Sequence, residues 1–310
     1  MSAIVLQTSN LSKQFGRQTA VDKINITVHQ GEVFGFLGPN GAGKTTTLGM
    51  ALGLVHPSEG EVRILGERVT PQRTRALQQV GALLGAPAFV PYLSAWDNLA
   101  LVARLTPGVD KQRIAETLAL VGLSDTGRKK VGKFSTGMKQ RMGLALALAH
   151  RPRFVILDEP TNGLDPAGMR EIRQLIRSLV ENGASVLLSS HLLHEVQQVC
   201  DRIAVLNKGR VVAQGRVADL LSQSKPVVRV MVSDVATAVA ALQSLPHIES
   251  IRPNGASILV VGQESQAILT HLLQHNIIPS EIAAQPISLE SLFMDVTQDA
   301  AASGIGQAEG

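Results

Sequence analysis

The stretch Phe36-Leu37-Gly38-Pro39-Asn40-Gly41-Ala42-Gly43-Lys44-Thr45-Thr46-Thr47 decides how the rest of the chain is read. It carries Gly-x-x-x-x-Gly-Lys-Thr, the spacing of a phosphate-binding loop. Val33 to Leu37 is apolar and predicts a short strand, and Thr46 to Leu54 predicts a helix. Gly38, Gly41 and Gly43 give the connecting loop backbone angles that side chains forbid. Its amides can then converge on a phosphate, helped by the free N–H groups and the dipole of the helix start. Lys44 supplies charge for the outer phosphates, and the Thr45 hydroxyl suits Mg²⁺. Pro39, Asn40, Ala42 and Thr46 complete the nucleotide-binding stretch. A Gly-rich turn without a ligand could share the glycines, but full spacing with Lys-Thr argues for a nucleotide.

A chain of 310 residues admits one large domain or two smaller ones. Its single cysteine, Cys200, excludes an internal disulfide and a multi-cysteine metal site, and fits a reducing compartment. Met1 to Asn10 lacks the basic start and apolar run of a signal peptide. No stretch reaches the length of a membrane span. The net charge of +4 is too mild to argue for nucleic acid. These features predict a soluble, intracellular protein unless a partner holds it at a membrane.

Strands are expected at Ile4 to Gln7, Ile24 to Val28, Val33 to Leu37, Glu61 to Leu65 and Val80 to Leu84. From Ser94 to Leu123 the apolar spacing becomes helical. Val155 to Leu157, Ala184 to Leu188 and Ile203 to Leu206 read as buried strands, and Met169 to Glu181 as an amphipathic helix. Strands alternating with helices around a phosphate loop predict an α/β core with parallel strands. Ser222 to Pro226 reads as a linker, followed by strand, helix, strand and helix sufficient for a small α+β domain. The predicted organisation is therefore a first domain over 1–221, a helical insertion at about 86–140, a second domain over 226–299 and a disordered tail over 300–310.

Phe154-Val155-Ile156-Leu157-Asp158-Glu159-Pro160 is an apolar strand ending in two carboxylates. At the C-terminal end of a parallel strand, acids face the crevice where ligands bind. Asp158 can serve Mg²⁺ and Glu159 can polarise an attacking water. An Asp-Glu pair alone is usually a solvated turn; its place after a phosphate loop favours the catalytic reading. Ser135 is a natural N-cap before a Leu/Ala helix, and that helix start is a second anion site.

The phosphate loop, Ser135-Thr136-Gly137-Met138-Lys139-Gln140, Leu157-Asp158-Glu159-Pro160, Gly163-Leu164-Asp165-Pro166 and Ser189-Ser190-His191 occur in that order. Together they resemble the ATP-binding subunit of an ABC transporter over about residues 3–220. The resemblance implies the P-loop NTPase core of ABC type, with an antiparallel β subdomain, the helical insertion and the small C-terminal domain. It further implies ATP and Mg²⁺ as ligands and a head-to-tail dimer sandwiching two ATPs. It also implies a separate integral membrane permease, and a cytoplasmic, peripheral place on the inner face of the membrane. On this reading Ser135 and Gly137 meet the γ-phosphate of the partner's nucleotide, and Asp165 lies at the dimer seam. His191 reaches the γ-phosphate beside the catalytic Glu159 and Lys44, and Phe15 stacks on adenine. A lone His would otherwise be structural, and Phe15 an ordinary core residue.

Two departures from the family pattern stand out. Thr136-Gly137-Met138 replaces the usual Gly-Gly-Gln, a variation similar to that of drug- and peptide-export relatives. Gly85 occupies the position of a Gln that touches Mg²⁺ and water, which predicts slower hydrolysis without loss of ATP binding. Phe89, Tyr92 and Trp96 concentrate the scarce aromatics in one segment. By resemblance that segment receives a short helix of the permease; it could equally pack the helical insertion. Ile287-Ser288-Leu289-Glu290-Ser291-Leu292-Phe293 is similar to the closing motif of multidrug and antimicrobial-peptide exporters, and by itself reads as an amphipathic helix start. The implied function is an ATPase driving export of a drug, peptide or similar toxic compound. The alternatives are export of ions or polysaccharide, or a soluble ATPase acting on ribosomes or nucleic-acid complexes.

Overall fold

The computed structural model describes residues 3–70, 72, 74–222 and 226–285. A first compact unit runs through Val217 and a second begins at Ala218. In the first unit the chain forms β1 (Ile4–Phe15), β2 (Gln18–Ile24), β3 (Thr27–His29), β4 (Val33–Leu37), α1 (Lys44–Ala51), β5 (Glu59–Ile64), β6 (Glu67–Arg68) and β7 (Val80–Leu83). It continues with α2 (Ala95–Ala103), α3 (Lys111–Leu120), α4 (Thr136–Leu148), β8 (Phe154–Asp158), α5 (Pro166–Glu181), β9 (Ser185–Ser190), α6 (Leu193–Val199), β10 (Arg202–Asn207) and β11 (Arg210–Arg216).

Six strands form the central sheet in the order β11-β10-β4-β9-β8-β7, parallel except for the edge pair β10–β11. Burial on both faces explains the apolar runs of β4 and β8 and the Val-Leu-Leu centre of β9: every residue of each strand is buried. The order puts β4 between β10 and β9, so the loop leaving β4 opens at the carboxyl edge where acids from β8 also emerge.

An antiparallel sheet, β2-β1-β5-β6 with β3 also on β1, lies beside it. Phe34, Phe36, Leu48 and Phe154 join Leu6, Leu11 and Ile64 in one core, tying both sheets to α1. The expected strand Ile24 to Val28 is two strands, because β1 is long enough to pair with β2 through Phe15 and with β3 through Ile4. Asn25 sits in the break, where its side chain accepts from Asn10 N–H at 2.8 Å. The helical segment is also interrupted: α2 ends at Ala103, α3 starts from the Asp110 cap, and α4 starts from the Ser135 cap.

α7 (Val217–Ser222) crosses the division between the units. The second unit then forms β12 (Val227–Met231), α8 (Val235–Leu242), β13 (Ser250–Asn254), β14 (Ser257–Val261), α9 (Ser265–Gln274) and β15 (Glu281–Gln285). Its antiparallel sheet has the order β13-β14-β12-β15, a ferredoxin-like βαββαβ arrangement. Alternate strand residues Val228, Val230, Ile258 and Val260 pack on Ala238, Leu242, Ile268 and Leu272, a core of its own. The Ile287–Phe293 motif, the 300–310 tail and most of the Ser222–Pro226 linker lie outside the described residues.

Close packing of β4 against α6 has a testable consequence. A Cβ on Gly35 would stand 2.7 Å from Val196 Cγ1 and 2.8 Å from Cys200 Sγ. Gly35→Ala should therefore lower unfolding free energy by about 1–3 kcal/mol through overpacking, measured by urea denaturation; an unchanged midpoint and slope would contradict this packing.

Candidate functional site

Three glycine conformations shape the loop after β4. Gly38, Gly41 and Gly43 have φ of 156°, 81° and 100°. At Gly43 a side chain is excluded twice over, since a Cβ would also lie 2.6 Å from Ala20 O. The loop delivers Lys44 as the first residue of α1, where it is 94% buried at 6% exposure. Its Nζ donates to Gly38 O at 2.7 Å and stands 3.4 Å from Glu159 Oε1. A buried ammonium without such partners would be strongly disfavoured.

The acids at the end of β8 are held from two sides. Thr45 Oγ1 donates to Asp158 Oδ2 at 2.9 Å, and Ser189 Oγ donates to Asp158 Oδ1 at 2.5 Å. Both oxygens of this buried carboxylate are therefore engaged. Glu159 adopts φ of 50°, an uncommon conformation for a residue with a side chain. Its N–H donates to Ser189 Oγ at 3.0 Å, and Asn162 N–H donates to its carbonyl at 3.1 Å. This turn aims the side chain back into the site, where Glu159 Oε2 is 2.8 Å from His191 Nδ1. Such strain, held by its surroundings, is a property of working sites.

One cleft of about 600 Å³ is lined by Phe15, the stretch Pro39 to Thr46, Glu159, Thr19 and Lys208. Phe15 is 53% exposed, with Lys13 Nζ 4.9 Å from its ring centroid. It stands apart from the core as an exposed ring on the cleft wall.

A separate cleft of about 570 Å³ is lined by Ser135, Thr136, Gly137, Gly163, Asp165 and Gly168 among others. Ser135 Oγ accepts from Met138 N–H at 3.3 Å, capping α4, and Asp165 Oδ1 accepts from Gly168 N–H at 2.8 Å, capping α5. The two clefts share no lining residue. Between them a third space of about 670 Å³ touches both, through Glu159 and Thr136, and is bordered by Gly85, Phe89 and Gln140. Gly85 has φ of 60°, and a Cβ there would meet nothing within 4 Å. Tyr92 is 71% exposed, and Trp96 lies under the Arg128 guanidinium at 4.8 Å.

The structure thus gathers the loop residues, Phe15, Glu159, Asp158 and His191 at one edge of the sheet. Ser135, Gly137 and Asp165 stand in a different cleft of the same chain. Two contributors were not singled out from sequence. Ser189 bonds the Asp158 carboxylate and the Glu159 N–H; it stands in the quoted Ser189-Ser190-His191 stretch, but no role was read for it there. Lys208, at the tip of the β10–β11 hairpin, reaches the cleft because Gly209 N–H donates to Ala42 O at 3.1 Å. Only topology brings that hairpin to the loop.

The ABC transporter family pattern matches residues 21–162. An uncharacterised ABC transporter ATP-binding protein of Bacillus subtilis (strain 168), YhcH, is 40% identical, with 94% of this chain and 96% of the relative covered. The chain belongs to the ABC transporter ATP-binding family. The bacitracin transport ATP-binding protein BcrA of Bacillus licheniformis is 41% identical over 77% of this chain and 78% of its own. A dimeric ATP-binding cassette in a post-hydrolysis state, bound to ADP and Pi, superposes with a TM-score of 0.63 at 26% identity. It covers 68% of this chain and 98% of its own. This ABC subunit is accordingly an ATPase that powers transport, and domains of its family form dimers and pair with membrane permeases. Among its described residues no helix is long and apolar enough to cross a membrane.

Ser189 gives the site its most direct test. Ser189→Ala leaves Asp158 and the strained Glu159 turn without their shared partner. ATP turnover should fall about tenfold or more, as expected when a carboxylate beside the glycine loop is misplaced, while ATP affinity stays within about threefold; unchanged turnover would remove Ser189 from the site.

Proposed function

We propose that two copies close head to tail around two ATPs, each nucleotide gripped by the Gly38–Thr45 loop of one copy and the Ser135 helix tip of the other. The observation that carries this reading is the separation of the two clefts within one chain. Each has a helix start suited to phosphate, and neither can complete the other's site from the same chain. The likeness to a dimeric cassette supports it.

In this reading Phe15 stacks on adenine, and Gly38, Pro39, Asn40, Gly41, Ala42, Gly43, Lys44, Thr45 and Thr46 surround the phosphates. The Thr45 hydroxyl and the Asp158 carboxylate are hard oxygen donors, which fits Mg²⁺. No group of three or more His, Cys, Asp or Glu could hold a metal among the described residues, so phosphate oxygens and water would complete the shell. When bound, Mg²⁺ would neutralise charge on the β- and γ-phosphate oxygens. Lys44 turns from Glu159 toward the phosphates, which leaves the Glu159 carboxylate to orient and deprotonate the attacking water. His191 steadies that carboxylate and meets the γ-phosphate, with Ser135 and Gly137 of the other copy opposite it. Asp165 lies at the seam.

Closure is transmitted to a membrane permease docked against the Phe89–Trp96 segment. The subunit therefore sits at the inner face of the cell membrane. The relative named for bacitracin transport supports export of an antimicrobial peptide or similar toxic compound.

Two predictions follow from the geometry of Glu159 and Gly85. Glu159→Gln should keep ATP affinity, lose turnover by about 10²-fold or more and accumulate an ATP-dependent dimer in size-exclusion chromatography with light scattering, whereas Lys44→Ala should lose ATP binding. Tight ATP binding by Lys44→Ala would contradict the role given to that lysine. Gly85→Gln adds an oxygen in open space beside Glu159, against about 1–2 kcal/mol of left-handed strain. It should raise steady-state ATPase in the assembled transporter, and an unchanged rate would dissociate Gly85 from hydrolysis.

A further inference from the structure

Residues 128–139 read Arg128-Lys129-Lys130-Val131-Gly132-Lys133-Phe134-Ser135-Thr136-Gly137-Met138-Lys139, with five cations and no carboxylate. That local +5 exceeds the +4 of the whole chain. Among the described residues none of the five cations forms an ion pair, although most arginines elsewhere in the first unit do. Arg128, Lys129, Lys130 and Lys133 are all exposed. Burial fixes the segment's position without its charges: Val131 and Phe134 are inside, so the cations between them stand outward.

The aromatic segment is fastened to this one. Val131 N–H donates to Leu93 O at 2.9 Å, Gly132 N–H to Pro91 O at 2.8 Å, and Trp96 N–H to Gly127 O at 2.9 Å. Ser94 and Lys130 face each other as an antiparallel bridge. Exposed Tyr92 and the Arg128-covered Trp96 therefore border the cations on one surface. Leu101 and Leu105, at 40% and 88% exposure, extend the same helix region with apolar side chains.

We infer that this surface rests on an anionic lipid leaflet. Lys129, Lys130 and Lys133 line none of the three clefts and stand outward beside the one that Val131, Gly132 and Lys139 border. Lysines are compact point charges on flexible stems, suited to a diffuse negative plane more than to forked recognition of one carboxylate. Lysines without ion pairs beside exposed Tyr92 and half-buried Trp96 form the composition that settles at a membrane–water boundary. Asp97, the acid within the aromatic segment, is engaged with Ser94 at 2.5 Å in capping α2. In the assembled transporter the three lysines hold the leaflet beside the Phe89–Trp96 segment given to the permease, and they stand apart from the ATP-sandwich reading.

The test uses the full purified chain without nucleotide. Co-sedimentation is measured with vesicles of phosphatidylcholine alone and of phosphatidylcholine and phosphatidylglycerol in equal parts, at low and high salt. Binding should require phosphatidylglycerol and weaken with salt. Lys129→Gln/Lys130→Gln/Lys133→Gln should lose about a hundredfold in affinity, since each cation near an anionic leaflet strengthens binding several-fold. ATP affinity of that variant should match the parent, which shows that it is folded. Tyr92→Ala should weaken the salt-resistant remainder. Equal binding to both vesicle types, or parental binding by the triple variant, would overturn the inference. So would failure to bind either vesicle while a poly-glutamate peptide binds the parent and not the variant, because the surface would then belong to an acidic protein segment. An ATP-dependent Glu159→Gln dimer with no vesicle binding would defeat this inference alone.

Discussion

The buried carboxylate of Asp158 is the point through which the first unit is locked. One oxygen takes the Ser189 hydroxyl from β9 and the other takes the Thr45 hydroxyl from α1. A buried charge tolerates no loose partner, and removing one hydrogen-bond partner of such a group costs about 1–3 kcal/mol or more. The strand end, its neighbour and the helix behind the phosphate loop must therefore hold one mutual spacing. The same serine fixes Glu159, whose φ of 50° only a rigid frame would sustain. Stability and chemistry draw on one small network at the carboxyl edge of the sheet.

In the proposed reading that network serves one half of a nucleotide site. The cleft holding Ser135, Gly137 and Asp165 opens elsewhere, on caps that start α4 and α5. Both helix starts present N–H groups and positive dipole ends to an anion. In the proposed sandwich, closure of two copies would bring each cap to the other's phosphates, so that ATP itself would become part of the interface. Hydrolysis would then remove that linker and let the pair separate, a population shift driven by a ligand that binds the closed state better.

The phosphate loop was legible because Lys44-Thr45 and three glycines permit few other uses. The buried strands β4 and β8 and the Val-Leu-Leu centre of β9 were legible because burial on both faces leaves an apolar run. β2 and β11 were not, since an edge or half-exposed strand mixes polar and apolar residues as loops do. The split of Ile24 to Val28 depends on β1 reaching two partners, which no local pattern encodes. Lys208 enters the cleft through a hairpin remote in sequence. Ser189 lies in the quoted Ser189-Ser190-His191 stretch, but its bonds to the Asp158 carboxylate and the Glu159 N–H depend on the pairing of β9 with β8. The cations at 128–133 are dense in the sequence, but only their lack of ion-pair partners on a common surface makes them a patch.

The central claim is that each nucleotide lies between two chains. Cys200 is 4% exposed and burial pushes its thiol far above the usual range, so it leaves introduced cysteines as the reactive pair. Asn40→Cys and Ser135→Cys, both at exposed positions, are placed on separate chains in the Glu159→Gln background and mixed with ATP under mild oxidation. The account predicts an ATP-dependent disulfide that joins the two chains into a covalent dimer. A disulfide that forms only when both cysteines share one chain, leaving it monomeric, would contradict it.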